Sequence, residues 1–167
     1  MGKTDENLKE AFAGESQAST RYRAFARKAD QEGYPGVAKL FRAASAAEVV
    51  HARNHLEVMN GVESTADNLK EAISGENMEH VTMYPGFIAQ ATKEEKPRAV
   101  RTFEWARKVE MIHESLYARA LDGLESAGRN PAAEYYVCQV CGMTAEGEAP
   151  ERCPVCGAPR AQFMKID

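Results

Sequence analysis

The first 137 residues contain no cysteine, so no disulfide framework can hold most of this chain together. Long apolar runs are also missing. Nothing approaches the ~18 consecutive apolar residues of a membrane span, and no membrane partner is expected. Nor is there an excess of positive charge: 21 Lys and Arg face 25 Asp and Glu, for a formal net charge of −4. That balance gives no electrostatic reason to bind nucleic acid or an anionic surface. The opening stretch MGKTDENLKE is polar and acidic, unlike a secretory or transit segment, and a cytoplasmic protein is the expectation.

What is present divides unevenly. With 44% hydrophobic and 28% charged residues in 167, the chain can bury one medium domain and carry a small appendage. All four cysteines fall between Cys138 and Cys156, which sets a cysteine-bearing tail apart from a cysteine-free body. The body reads as four long helical stretches with apolar residues at three- and four-residue steps, such as Leu40, Phe41, Ala44 and Ala47. The first runs from an N-cap at Thr4 to about Asp30. The second follows Pro35 and ends near Asn60-Gly61, with Gly61 as C-cap. The third follows an N-cap at Thr65 and runs towards Glu95, with Pro85-Gly86 expected to kink or break it. The fourth starts at Pro97 and stops near Gly128. Helices of about 25–30 residues, each ~40 Å long, predict a four-helix bundle. AGRNPAAE then reads as a linker to a turn-rich tail starting at about Tyr135.

The body repeats itself. TDENLKEAFAGES begins at Thr4 and TADNLKEAISGEN at Thr65, identical at eight of thirteen positions, and Glu15 recurs 61 residues on as Glu76. Glu48 and His51 form E-x-x-H on the second helix, and Glu110 and His113 repeat it at an offset of 62. Residues three apart share a helix face, so each E-x-x-H offers a carboxylate and an imidazole to one point. Two such hairpins around a twofold would gather four Glu and two His, the arrangement of di-iron carboxylate bundles. Four converging carboxylates without counter-charge would protonate or destabilise the fold, whereas two divalent cations balance them. Oxygen and imidazole donors suit iron or manganese, and zinc is possible. The mirror breaks at Glu79, whose counterpart is Ala18; Glu79 shares a face with Glu76 and can reach the metals. His55 and His80 have no such partners and read as surface or supporting residues.

In the tail, Cys138-x-x-Cys141 and Cys153-x-x-Cys156 are separated by eleven residues. Two such knuckles supply four thiolates to one tetrahedral metal, with Gly142 and Gly157 relaxing the turns. Iron in a one-electron centre or structural zinc would both fit. Tyr135, Tyr136 and Phe163 are expected to form the small core around it.

GES, EVVH, GENMEH and EMIH, followed by the four-cysteine tail, resemble the rubrerythrin family along nearly the whole chain. The resemblance implies an all-α, ferritin-like four-helix bundle over residues 1–130 and a rubredoxin-like domain over 131–167. It implies two irons held by Glu15, Glu48, His51, Glu76, Glu110 and His113, with Glu48 and Glu110 bridging and Glu15 and Glu76 terminal. His51 would exchange with Glu79 as the redox state changes. Cys138, Cys141, Cys153 and Cys156 would hold one iron, and Tyr22 and Tyr84 would lie close to the di-iron pocket. The implied activity is reduction of hydrogen peroxide to water, a defence against oxidative stress. No nicotinamide-binding motif occurs, so NAD(P)H would serve only through an external electron donor such as a rubredoxin or reductase. The alternatives are a di-iron oxidase or ferroxidase acting with dioxygen, and a structural or binding protein with a zinc ribbon.

One short connection bears on assembly. Only Val62, Glu63 and Ser64 separate Gly61 from Thr65. In ferritin-like bundles the second and third helices are parallel, so this link would have to span ~40 Å, which takes at least eleven residues at ~3.5 Å each. A domain-swapped homodimer, or a higher oligomer, is therefore expected. An up-down-up-down monomer is the competing topology.

Overall fold

The computed structural model describes residues 2–127 and 133–167, and most of the expected AGRNPAAE linker lies outside the described residues. The chain divides into two units, Met1–Glu63 and Ser64–Asp167. The N-terminal unit is a hairpin of α1 (Lys3–Gln31) and α2 (Pro35–Val58). The C-terminal unit contains α3 (Thr65–Met78), a π-helical turn (Glu79–Met83), α4 (Tyr84–Lys93) and α5 (Pro97–Ala127). These are followed by β1 (Tyr135–Cys138), β2 (Thr144–Glu146) and β3 (Phe163–Ile166).

Three helices stop in the same way. Gly33, Asn60 and Glu95 each take a left-handed conformation after α1, α2 and α4. The next N–H then bonds five residues back, at 2.9 Å in each case: Tyr34 to Ala29, Gly61 to Leu56 and Lys96 to Ala91. This Schellman closure satisfies carbonyls that the helix leaves open. At α2 it corrects the expected cap, because Asn60 and not Gly61 adopts the positive φ. Gly61 meets a different constraint: a Cβ there would lie 2.3 Å from Leu56 Cδ1, and that side chain would have to move. The N-termini also shift. α1 begins ahead of Thr4, with the Gly2 N–H donating to the Asp5 carboxylate at 2.8 Å. Ser64, not Thr65, caps α3, its Oγ accepting from the Asp67 N–H at 3.2 Å. A cap must reach an N–H three residues ahead, and Thr65 already sits inside the first turn.

The expected break at Pro85-Gly86 occurs earlier and in another form. Pro85 has no N–H for the Val81 carbonyl and its ring crowds that oxygen. The five-residue π turn ahead of it opens the helix there, and the Tyr84 N–H reaches back to the Glu79 carbonyl. Pro85 then stands in the first turn of α4, where its missing N–H costs little.

Small residues form the seam of the N-terminal hairpin. Ala18, Ala26, Ala29, Ala38, Ala52 and Ser45 are buried, and the Ser45 hydroxyl donates to the Ser19 carbonyl at 2.8 Å. Beside them Tyr22, Phe25 and Phe41 make one aromatic cluster, repeated in the C-terminal unit by Tyr84, Phe87 and Phe103. The tail is a three-stranded antiparallel sheet in the order β2-β1-β3. Its core departs from expectation. Tyr135, Tyr136 and Phe163 are only half-buried, and the buried residues are Cys138, Ala145, Ala149 and Cys153. The cysteines themselves form the centre of a domain too small for an apolar one.

Candidate metal centres

Each helical hairpin brings together the three residues its sequence singles out. On α1 and α2, ligand atoms of Glu15, Glu48 and His51 lie within 4.8 Å of one another. On α3 and α5, those of Glu76, Glu110 and His113 do the same. Both E-x-x-H pairs have one geometry: His51 Nδ1 is 2.8 Å from Glu48 Oε2, and His113 Nδ1 is 2.8 Å from Glu110 Oε2. The i,i+3 spacing on a regular helix imposes this. Glu76 reaches His113 Nδ1 from the facing helix, with its Oε1 at 3.7 Å.

The electrostatics of the second group mark it as a place for cations. Burial first, and then the charges of Glu110 and Glu79, raise Glu76 from an ordinary 4.5 to about 7. Burial and Glu110 also raise Glu79, opposed by His113. Glu79 is the first residue of the π turn and feels the cluster without belonging to its close triad. Tyr84 is raised by burial and by the charges of the same acids, Glu110, Glu79 and Glu76. Tyr22 lies among its aromatic neighbours on α1 and α2.

Tyr117 escaped the sequence reading, and His80, expected as a surface or supporting residue, takes the supporting part. Tyr117, one turn beyond His113, has its ring centroid 6.5 Å from that imidazole and is raised by burial, Glu76 and Glu110. The i,i+4 spacing from His113 was the available signal. His80 is not a free surface histidine: its Nε2 pairs with Glu114, which also accepts from Asn77, and its carbonyl accepts from Arg107. That network joins the π turn to α5. His55 belongs to neither triad.

The four cysteines are free thiols, with Cys138 Sγ 3.7 Å from Cys156 Sγ and Cys141 Sγ 3.5 Å from Cys153 Sγ. These separations are far beyond a disulfide bond and approach the ~3.8 Å edge of a tetrahedron with ~2.3 Å metal–sulfur bonds. The knuckles are duplicates. Gly142 and Gly157 take positive φ, and their N–H groups bond the Cys138 and Cys153 carbonyls at 2.9 and 2.8 Å. Burial pushes the Cys153 thiol up, but the N–H groups of Cys156 and Val155 outweigh it and hold the thiol below its ordinary value. Burial raises Cys141 and Cys156, partly opposed by the N–H groups of Met143 and Ala158. Amides aimed at sulfur favour thiolate and therefore metal. Both donor sets thus fit the ions that their chemistry implies.

Carboxylate–histidine triads on repeated helical hairpins, joined to a four-cysteine knuckle, define a di-metal oxidoreductase with its own one-metal domain. The rubrerythrin family model matches residues 6–121, and the model of the rubrerythrin rubredoxin-like domain matches residues 136–164. The chain is 34% identical to rubrerythrin-2 of Clostridium acetobutylicum, with 96% of this chain and 95% of that protein covered. It is 33% identical to nigerythrin of Nitratidesulfovibrio vulgaris, over 98% and 86% of the two chains. Solved structures of nigerythrin in mixed-valence and all-ferrous states match at 34% identity and a TM-score of 0.58, covering 99% of this chain and 88% of theirs. This chain belongs to the rubrerythrin family. Its body is a ferritin-like domain with a di-iron carboxylate–histidine site, and its tail is a rubredoxin-like domain with a four-cysteine metal site. Among the described residues, no helix is long and apolar enough to cross a membrane.

Proposed function

We propose that the protein is a peroxidase that reduces hydrogen peroxide to water, with Glu15, Glu48, His51, Glu76, Glu110 and His113 as the di-iron ligands and Glu79 as an alternate. The observation that carries this reading is the presence, in one chain, of two carboxylate–histidine triads and a four-cysteine group, each able to hold a metal ion. One peroxide, two electrons and two protons give two waters. When bound, two ferrous irons supply those electrons, one each, and act as Lewis acids towards the oxygens. Tyr84, held above its ordinary pKa, keeps its phenolic proton and can donate to an oxygen atom in the pocket. Burial and Glu110 raise Glu79 as well, so it takes up a proton more readily than an ordinary carboxylate. With two chains sharing the site, Glu79 and His51 would be alternative donors for one cation position, the hard carboxylate suiting ferric and the imidazole ferrous iron. Tyr22 takes the part of Tyr84 in the other half-site. Cys138, Cys141, Cys153 and Cys156 would hold an iron, which would supply one-electron chemistry towards an external donor protein linked to NAD(P)H. The functional boundary falls near residue 130.

We infer further that two chains assemble by exchanging hairpins. The link from Met59 to Ser64 spans about 20 Å at most, against ~36 Å for a helix the length of α2. A lone hairpin also cannot cover its own apolar side: Phe25, Leu40, Val49 and Val50 are 46%, 68%, 45% and 43% exposed. A second copy's hairpin would cover them and complete the ligand set. Sedimentation at low concentration tests this, and a monomer that binds two irons would refute it. Anaerobic stopped-flow of the ferrous protein tests the activity, with peroxide expected to oxidise it faster than dioxygen. Faster oxidation by dioxygen would replace the peroxidase with an oxidase, and a colourless, zinc-only protein after anaerobic purification would end both.

A further inference from the structure

The two imidazoles of the repeated E-x-x-H pairs do not have equivalent surroundings. Among the described residues His51 pairs with Glu48 alone, and its side chain is 54% exposed. His113 is 25% exposed and engaged at both ring nitrogens. Its Nδ1 faces Glu110 and Glu76, while its Nε2 lies 2.9 Å from the Thr144 hydroxyl, in the first position of β2. Thr144 Oγ1 is in turn 3.4 Å from the Gly142 carbonyl, which follows the Cys138–Cys141 pair in its knuckle. Two residues further along β2, Glu146 forms an ion pair with Arg119 of α5, so the strand is fastened to the helix at two points.

A cation at Nδ1 would fix a direction through this chain. Nδ1 lies 2.8 Å from the Glu110 carboxylate and faces Glu76, and a metal shared with these acids would take its lone pair. The proton of the imidazole would then sit on Nε2 and donate to Thr144 Oγ1 at 2.9 Å. The Thr144 hydroxyl would turn its own single proton to the Gly142 carbonyl at 3.4 Å. An imidazole held this way is locked in both tautomer and ring rotation.

We propose that Thr144, a residue of the rubredoxin-like domain, is a positioning residue for the di-iron site, which orients His113 and makes it the fixed ligand of the pair. The His51 half has no such brace among the described residues of one chain. The inference rests on the metal assignment above and adds to it a physical tie between the four-cysteine knuckle and one di-iron ligand. A cleft of about 370 Å³ lined by Leu69, Tyr117, Tyr135 and Val137 among others opens beside His113 and Thr144. With the hydroxyl gone, water from this cleft would replace a directed bond with a mobile one.

The test uses the full-length protein with Thr144→Val, which keeps the shape, and Thr144→Ser, which keeps the hydroxyl. Each is loaded with zinc at all sites, and the histidine rings are followed by long-range proton–nitrogen NMR. In the wild type His113 should show metal at Nδ1 and a slowly exchanging Nε2–H. Thr144→Val should exchange that proton at least ten times faster and bind ferrous iron at the carboxylate site about ten- to a hundredfold more weakly. Thr144→Ser should restore both, and the His51 signals should not change among the three proteins. In a separate preparation loaded with iron, an unchanged visible spectrum of the four-cysteine site in Thr144→Val shows that the tail is folded. A Thr144→Val protein with wild-type exchange and affinity overturns the proposal while leaving the metal assignment standing. A wild type that fills the four-cysteine site but takes no metal at the Glu and His residues overturns that assignment, and this inference with it.

Discussion

Glu76→Gln separates the cost of gathering carboxylates from the gain of binding cations. Burial, Glu110 and Glu79 raise Glu76 from 4.5 to about 7. Across that window the native metal-free protein holds a proton that the unfolded chain has released. The native state therefore binds more protons, so stability falls as pH rises from about 4.5 to about 7 and levels off above. At about 1.4 kcal/mol per pH unit the loss is bounded at about 3 kcal/mol. The side chain is 18% exposed, and solvent screening brings the expected figure to about 1–2 kcal/mol.

Glutamine is neutral throughout and removes this slope. Metal-free Glu76→Gln should be about 1–2 kcal/mol more stable than metal-free wild type at pH 8, and no more stable at pH 5. Urea unfolding followed by helical circular dichroism, with the four-cysteine site left loaded, measures the difference and cancels the contributions of other groups. Ferrous iron added anaerobically should reverse the order. The wild type gains about 2.7 kcal/mol at a hundredfold excess over Kd, and the variant, short of one anionic donor, gains much less. Parallel pH curves for the two metal-free proteins would show that Glu76 does not feel its neighbours. Equal stabilisation by iron would show that it is not a ligand.

Cys153→Ser should abolish the visible spectrum of the thiolate-bound iron and the amide protection of the sheet, because Cys138 and Cys153 are its buried centre, while helical dichroism stays unchanged. Gly61→Ala should cost about 1–3 kcal/mol in urea unfolding, since its Cβ would lie 2.3 Å from Leu56 Cδ1; an unchanged midpoint would refute the packing argument. Tyr84→Phe keeps the ring against Phe87 and Phe103 and should leave Tm within a few degrees, but slow peroxide reduction about tenfold or more. Wild-type turnover in that variant would remove the phenol from the chemistry.

The triads were legible in the sequence because their geometry is local. E-x-x-H on a regular helix puts an imidazole beside a carboxylate whatever else the chain does, and C-x-x-C with a following glycine makes a knuckle on the same terms. The pairings between elements were not legible. Thr144 meets His113, and Glu114 meets His80, only because β2 and the π turn pack on α5, and no spacing in sequence encodes those contacts. The helix caps moved by a residue or so for a related reason: Ser64 and Thr65 are both competent caps, and the Asp67 N–H selects Ser64.

The change of offset within the repeat has a structural cause. Glu15 and Glu76 are 61 apart, whereas Tyr22 and Tyr84, Phe25 and Phe87, Phe41 and Phe103, and Glu48 and Glu110 are all 62 apart. One extra residue therefore enters the second copy between Glu76 and Tyr84, and the π turn at Glu79–Met83 occupies that interval. A π turn accommodates one additional residue without disturbing the helix on either side, so Tyr84 and its aromatic cluster stay in register with their counterparts. Glu79, the acid with no counterpart in the first hairpin, stands at the start of the turn. The inserted residue and the unpaired carboxylate thus depart from symmetry within the same stretch. The π turn widens the helix beside the cluster, in the hairpin whose histidine is braced by Thr144. The repeat supplies two nearly equal half-sites, and this single local insertion, together with one hydroxyl from the tail, makes them chemically different.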